Sequence, residues 1–546
     1  MRARDYVLLL LLCAALFAPG LAHVPPLDRD EPRFAQASRQ MVESGDFIDI
    51  RFQGEARLKK PVGIYWLQAA SAAIFSAPDA DGIWPYRLPS TLGATIAVLL
   101  TATLGARLFG RATGIGAAIL LAVSAVLSAE ARIAKTDAAL LACVVAAQLA
   151  LATVFLERDR SDLPGPGNAI LFWAALGAGI LIKGPIILMV SGLTCLGLAL
   201  WERDARWLRR LRPWPLALLT ILAVAPWLVG IMLKTKGAFF AEAIEHDLLG
   251  KITGAQESHG APPGFFLVTF WGTFWPGTLV AALAIPWVWQ RRHDDAVRFC
   301  LAWFVPSWLA FEIVPTKLVH YILPLIPAIA LLAARAALEP FPRYNSRVGR
   351  IFVGVTVGGW LLIAGAMTAG LPLAPAIVEH RFDAVALAIG VATLLAFLAA
   401  LFFFRTGRRP AAAQCLVVGC VILYATVYDR VIPELDTLWI SARVANAVHA
   451  AERCPKTTLT SVGFAEPSLV FALGADTSFG DSRAAAQAIA ENRCAMALVD
   501  APSLNAFRAE LAETGKQAHE VATIDGINLA QGKSVALTLF EAAGQS

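Results

Sequence analysis

Charge is scarce in this sequence. Of 546 residues only 16% are Asp, Glu, Lys or Arg, while 57% are hydrophobic. A soluble globular protein carries about a quarter charged residues, so that class is excluded for the chain as a whole. Short alternating strands, the mark of a membrane β-barrel, are missing from the first 430 or so residues. Internal repeats and low-complexity segments are also missing, which argues against transporters built from repeats. Convincing metal-ligand spacing is lacking as well. His246, Asp247 and His259 are few and loosely spaced, and phosphate or sugar contacts account for them equally. No metal site is assigned, and a divalent ion stays open as a cofactor.

What is present is a series of apolar runs of about 20 residues, the length that crosses a bilayer as a helix. The fold class is therefore a polytopic α-helical membrane protein with about 13 transmembrane helices. They are expected at 6–23, 89–107, 112–128, 137–156, 168–183, 185–201, 214–233, 265–289, 297–314, 319–338, 349–371, 384–404 and 411–428. The opening MRARDYVLLLLLCAALFAPGLAHV has the make-up of a signal peptide. Because the chain returns to lipid many times, an uncleaved first helix is the preferred reading, with Arg2 and Arg4 cytoplasmic.

The positive-inside rule then orients the chain. With the N-terminus inside, every expected cytoplasmic loop is rich in arginine: Arg107 and Arg111, Arg158 and Arg160, then Arg203 to Arg212, Arg291 and Arg292, Arg343 to Arg350, and Arg405 to Arg409. The net charge of +5 is mostly this topology signal and gives no reason to expect nucleic acid. An odd number of spans puts the C-terminus outside.

Residues 24–88 form a long outer loop within a transmembrane domain, residues 1–428. DEPRFAQASRQMVES, Asp30 to Ser44, has helical spacing, with Phe34, Ala37 and Met41 on one face and Arg33, Gln36 and Gln40 on another. Ile64 to Phe75 is apolar but too short to span. Both read as helices at the membrane interface. From about residue 429 the composition becomes that of a small α/β soluble domain, residues 429–546. Strands are expected at Thr457–Gly463, Met496–Val499 and Val535–Phe540, and helices at Pro467–Leu473, Ser482–Asn492 and Ser503–Thr514. Cys454 and Cys494 each precede an expected strand. Parallel neighbouring strands would bring them within disulfide reach, and an outer compartment permits the bond. Two buried free thiols are the alternative.

The expected topology collects ionisable groups at one membrane face: Asp30, Glu31, Arg33, Lys59, Lys60, Arg132, Asp137, Lys183, His246, Lys251, His259, Lys317, His320 and Tyr321. Single interfacial Lys or Arg residues often only snorkel to water. A set mixing acids, histidines and cations from several loops is costly at membrane depth and points to function. Several cations suit a phosphate, and a carboxylate can orient a sugar or take a proton. A lipid-linked phosphosugar presents both.

The stretch DEPRFAQASRQMVESGDFIDIRFQGEARLKKPVGIYWLQAAS resembles the first outer loop of the polyprenyl-phosphate-sugar-dependent glycosyltransferases, which include bacterial protein O-mannosyltransferases and the lipid A aminoarabinose transferases. ARIAKTDAAL at 131–140, KGP at 183–185, EHDLLGK…SHGAPPGFF at 245–266, PTKLVHYILPLIPAIALL at 315–332 and GFAEPSLVFALG at 463–474 are similar too. The resemblance implies a GT-C type glycosyltransferase fold, a cavity at the outer face and inversion at the sugar. It assigns Asp30 and Asp137 as catalytic acids. Substrate contacts are Glu31, Arg33, Lys60, Tyr65, Arg132, Lys183, His246, Lys251, His259, Lys317, His320 and Tyr321. The sequence departs from the family pattern at Lys251, where arginine is expected, and at Phe265 and Phe266, where tyrosines are common.

The implied donor is an undecaprenyl-phosphate-linked sugar, and 4-amino-4-deoxy-L-arabinose leads. The implied acceptor is lipid A or lipopolysaccharide core, and the implied location is a bacterial inner (plasma) membrane. Transfer of mannose or a uronic acid to protein or glycan is the alternative in the same class. A membrane transporter or lipid flippase is the alternative of another class.

Overall fold

The computed structural model describes residues 1–27, 29–76, 82–159, 165–242, 260–339, 346–452, 454 and 457–543. Each segment expected to span holds a helix or a broken pair. The chain runs α1 (Ala3–Phe17), two outer-loop helices α2 (Asp30–Ser44) and α3 (Gly63–Phe75), then α4 (Trp84–Phe109), α5 (Arg111–Ala122), α6 (Ala125–Glu130), α7 (Asp137–Leu156), α8 (Gly167–Lys183), α9 (Ile186–Glu202) and α10 (Pro213–Lys234). Further long helices follow at Asp295–Ile313, Arg347–Val378, Ala384–Arg405 and Arg409–Ala425. Among the described residues, seven helices are long and apolar enough to cross a membrane alone. This is a multi-pass membrane protein.

Two expected single spans are broken. The segment 112–128 divides at Ser124, which is extended between α5 and α6. The segment 265–289 divides into Phe265–Thr273 and Thr278–Gln290 around Pro276, a residue with no amide hydrogen to continue a helix. Small residues let helices close on one another. A Cβ on Gly105 would lie 2.7 Å from the Cα of Gly114, so α4 and α5 touch backbone to backbone.

The arginine-rich loops gather at one face of the helical layer through ion pairs. Arg158 reaches Asp295 at 2.9 Å, Arg107 reaches Glu157 at 2.5 Å and Arg291 reaches Glu339 at 3.2 Å. Arg409 donates to the carbonyl of Glu339 at 2.7 Å. The outer loop and the candidate site sit at the other ends of these helices.

The loop carries a small hairpin, β1 (Arg51–Phe52) with β2 (Glu55–Ala56). The C-terminal region folds as a five-stranded sheet of order β4-β3-β5-β7-β6, built from β3 (Thr458–Val462), β4 (Ser478–Phe479), β5 (Ala495–Asp500), β6 (Ala518–Asn528) and β7 (Lys533–Ala542). The three expected strands and the helices Pro467–Leu473, Ser482–Glu491 and Leu504–Glu513 are present. Two strands escaped sequence reasoning. β4 has only two residues, and β6 is an edge strand with a bulge between Glu520 and Ala522, so neither shows clean apolar alternation.

β3 and β5 pair in parallel, Thr458 opposite Ala495. That brings the two preceding cysteines together, and Cys454 and Cys494 form a disulfide with Cα atoms 5.8 Å apart. The sheet domain docks on the outer loop through helix Pro467–Leu473. Arg39 of α2 donates to the Phe471 carbonyl at 2.9 Å and stacks on its ring at 4.3 Å.

Candidate active site

α2 occupies the range expected from its spacing. Phe34, Ala37 and Met41 are buried on its inner face, and Gly45 ends it in the left-handed conformation. Gln36, expected on the polar face, is buried instead. Asp30 opens the helix and stays 52% exposed. Arg33, one turn on, approaches it at 3.7 Å. Arg57 approaches the same carboxylate oxygen at 3.8 Å from behind the hairpin. The Arg57 guanidinium is in turn fixed: it donates to the Tyr65 hydroxyl at 3.0 Å and lies over the Phe34 ring at 4.9 Å. Burial pushes the Tyr65 phenol above its usual range, so it serves as a neutral support for Arg57. Sequence reasoning passed over Arg57, although it lies inside the quoted loop. Its signal was an isolated arginine between a hairpin strand and the Lys59-Lys60 pair.

A second group sits at the ends of α7 and α8. Asp137 opens α7 with only 7% of its side chain exposed. Lys183, the last residue of α8, pairs with it. His320 Nε2 lies 3.8 Å from the same carboxylate, and its Nδ1 lies 3.5 Å from Glu130. Tyr321 completes the group, its ring 5.6 Å from the Lys183 ammonium and packed edge-on against His320. Residues from three separated stretches of sequence, 130–137, 183 and 320–321, thus meet, with Glu130 an acid the sequence did not single out.

Lys60 joins the two groups by its place in the chain. Pro61, next to it, packs near the Gly184 turn, and the backbone of Gly63 closes on Leu181 so tightly that a Cβ there would lie 2.7 Å from the Leu181 carbonyl oxygen. The Lys60-Pro61 stretch and the Lys183-Gly184-Pro185 turn are therefore neighbours. Lys317 is buried and donates to the Ala261 carbonyl at 2.8 Å. It pins residues 260–261 beside Thr316. His246, Lys251 and His259 lie outside the described residues. Among the described residues no group of three His, Cys, Asp or Glu side chains could hold a metal ion.

Two expected substrate contacts are placed elsewhere. Glu31 is fully buried and paired with Arg87, at 2.8 and 3.0 Å. It also accepts from the Ala134 amide at 2.9 Å. Arg87 donates onward to the carbonyls of Leu21, Val24 and Pro25. Every lone pair and donor here is used inside the protein, so this buried pair clamps the start of the outer loop to the segment leading into α7. Arg132 is likewise buried. It donates to the Pro19 carbonyl at 2.7 Å and to Ser128 at 3.0 Å, and stacks on Tyr428 at 4.1 Å. It ties the end of α1 to the same segment.

A cavity of about 1440 Å³ lies between the outer loop and the C-terminal domain. Asp30, Arg33, Arg57 and Lys59 line one side of it; Asp137, Lys183 and His320 do not.

Residues 59–229 match the family model described as dolichyl-phosphate-mannose-protein mannosyltransferase. An undecaprenyl phosphate-alpha-4-amino-4-deoxy-L-arabinose arabinosyl transferase of Pseudomonas paraeruginosa is 26% identical over 343 residues, 61% of this chain and 60% of that protein. The protein of that name in Aeromonas hydrophila is 27% identical over 338 residues, 60% of each. The chain thus aligns to about 60% of the length of these curated relatives. The crystal structure of ArnT from Cupriavidus metallidurans bound to undecaprenyl phosphate superposes with a TM-score of 0.77 at 20% identity, over 97% of both chains. The oligosaccharyltransferase of Archaeoglobus fulgidus superposes with a TM-score of 0.52 at 12% identity, over 99% of this chain and 74% of that one. This chain therefore has the GT-C type fold of the polyprenyl-phosphate-sugar-dependent glycosyltransferases and is similar in sequence to the aminoarabinose transferases among them.

Proposed function

We propose that this protein is an inner-membrane glycosyltransferase that moves 4-amino-4-deoxy-L-arabinose from undecaprenyl phosphate to lipid A at the periplasmic face. The observation that carries this reading is the cluster of Asp30, Arg33 and Arg57, in a loop whose Lys60-Pro61 stretch neighbours the Lys183-Gly184-Pro185 turn. It supplies cations for a phosphate and an accessible acid for a sugar. The similarity to proteins named for this reaction supports the sugar and the carrier. The arginine-rich face opposite the site supports the orientation, with the N-terminus cytoplasmic and the C-terminal domain periplasmic.

The two acids take different roles. Asp137 is buried and held by Lys183, which makes it a positioning group that sets the Lys183 ammonium and the His320 ring. Asp30 is open to the cavity and contacts substrate. The bond from the sugar's anomeric carbon to the carrier phosphate breaks, and the carrier keeps the electron pair and gains negative charge. Lys60 and Lys183 stabilise that charge, a contribution that grows towards the transition state. An oxygen of the lipid A phosphate forms the new bond from the opposite face of the sugar. That oxygen is already anionic, so no proton need leave, and Asp30 pairs with the amino group of the sugar.

The matching family model is described for protein mannosyl transfer, which favours a second reading with a hydroxyl acceptor. Its proton would then pass to Asp30. Purified protein given aminoarabinosyl undecaprenyl phosphate and lipid A should yield modified lipid A by mass spectrometry. No product from lipid A, together with glycosylation of a protein or glycan acceptor, would replace the first reading by the second.

A further inference from the structure

Five arginines stand within ten residues between α9 and α10: Arg203, Arg206, Arg209, Arg210 and Arg212, against the single acid Asp204. They lie at the arginine-rich face of the helical layer, where the flanking charges are matched. Glu202, the last residue of α9, pairs with Arg298 and lies 3.6 Å from Arg158, which also reaches Asp295. Asp204 bonds Arg206 at 3.0 Å, and the stretch from 203 to 212 still carries a strong excess of positive charge. The positive-inside rule accounts for cations somewhere in such a loop. It does not account for their particular places.

Residues Arg206–Leu211 form a 3-10 turn that is pinned from beneath. Trp207 is buried, edge-on against Phe155 of α7 at 5.4 Å. Leu211 is buried too, and its carbonyl accepts from Trp173 of α8 at 2.8 Å. Residues three apart eclipse in a 3-10 helix. Arg206, Arg209 and the capping Arg212 therefore fall on one edge, and all three are exposed. Leu200 and Trp201 before the turn, and Trp214 and Leu219 after it, are exposed apolar side chains. Cations thus stand over lipid-facing surface, with tryptophans at the level where they collect in membranes.

The backbone carries the deciding observation. Arg203 and Arg212 bracket the turn, with φ of 55° and 47°. That left-handed region favours glycine, and an arginine there has a local cost. Topology needs arginines only within the loop, yet two of them occupy the positions where glycine would turn the chain most easily. Their side chains therefore have a use that outweighs the backbone cost.

We propose that this turn is a docking site for anionic phospholipid headgroups of the leaflet it faces. The guanidinium forks take the phosphodiester oxygens, and the apolar flanks take the first methylenes of the acyl chains. Phe155 and Trp173 lie towards the opposite ends of α7 and α8 from Asp137 and Lys183, so the proposal is independent of the transferase reading.

The test titrates the full-length protein in neutral detergent with phosphatidylglycerol, or with phosphatidylcholine of the same acyl chains, and counts bound lipids by native mass spectrometry. Wild type should bind phosphatidylglycerol about fivefold or more tightly than phosphatidylcholine, and added salt should narrow the gap. The double variant Arg203→Gly, Arg212→Gly should lose most of that preference. Its melting temperature in lipid-free detergent should equal or exceed that of wild type, because glycine relieves the backbone. Arg209→Gln, which leaves the left-handed positions alone, should also weaken phosphatidylglycerol binding. Arg405→Gln with Arg408→Gln removes as much charge from another loop and should keep the preference. No preference in wild type, or a preference kept by both the glycine pair and Arg209→Gln, would overturn the proposal. An equal loss in the Arg405 and Arg408 pair would overturn it too, since diffuse surface charge would then suffice. So would a lower melting temperature in the glycine pair, which would make the two arginines structural. Lipid binding is read without turnover, so the result stands apart from the transfer assay.

Discussion

Asp30 and Asp137 each open a helix, where the dipole favours an acid, yet they differ in everything that decides chemistry. One is half exposed between two arginines; the other is buried against a lysine and a histidine. Asp30→Asn should abolish transfer while leaving membrane insertion intact, and so should Lys60→Ala. Activity within a few-fold of wild type in both would remove them from the site. Asp137→Asn should lower kcat about 10- to 100-fold, the range for one charged hydrogen bond lost at the transition state, with less effect on acceptor KM. Arg33→Lys should retain more activity than Arg33→Ala, because charge survives though the planar fork is lost. The Glu31–Arg87 pair is of another kind. Arg87→Met leaves a buried carboxylate alone and should cost about 3–5 kcal/mol, read as a large drop in melting temperature and in yield of folded protein.

At the scale of elements, the site depends on how α3 meets α8. Gly63 has no side chain because the Leu181 carbonyl occupies the space one would take. Gly63→Ala should push α3 off α8 at a cost of about 1–3 kcal/mol and carry Lys60 away from Lys183. The expected signature is a kcat loss larger than the fall in melting temperature would explain; a variant with wild-type turnover would break the link between this contact and Lys60. The range of α2 was legible in the sequence, since the helical spacing of Phe34, Ala37 and Met41 runs through Asp30 to Ser44. The partners of its charges were not legible. Glu31 and Asp30 are adjacent residues of one type, and only the packing of the segment before α7 turns one inward to Arg87 and leaves the other facing the cavity.

At the scale of the whole molecule, two expectations concern the C-terminal domain. A phosphatase reporter fused after Ser546 should be active and a cytoplasmic fluorescent reporter dark; the opposite pattern would reverse the orientation. The Cys454–Cys494 bridge closes a separation of 40 residues, worth on the order of 4 kcal/mol in the chain-entropy model. Both cysteines should resist alkylation until reduced. Cys494→Ser should lower the melting temperature of the domain while the helical part still inserts in the membrane.

By itself the sequence determined that the chain crosses a membrane repeatedly, where its arginines cluster, the extent of α2, and that a sheet-containing domain follows. These depend on apolar run length and local periodicity, which a chain carries in its order of residues. It also put Cys454 and Cys494 in line for pairing, since the starts of adjacent parallel strands lie side by side. Only the tertiary structure decided that Glu31 and Arg132 are internal clamps, that Arg57 lies beside Asp30 and Glu130 beside His320, and that the C-terminal domain walls a cavity over Asp30. Those outcomes depend on contacts between residues tens to hundreds of positions apart, and on which of two similar charges loses its water, and neither is encoded in any single stretch.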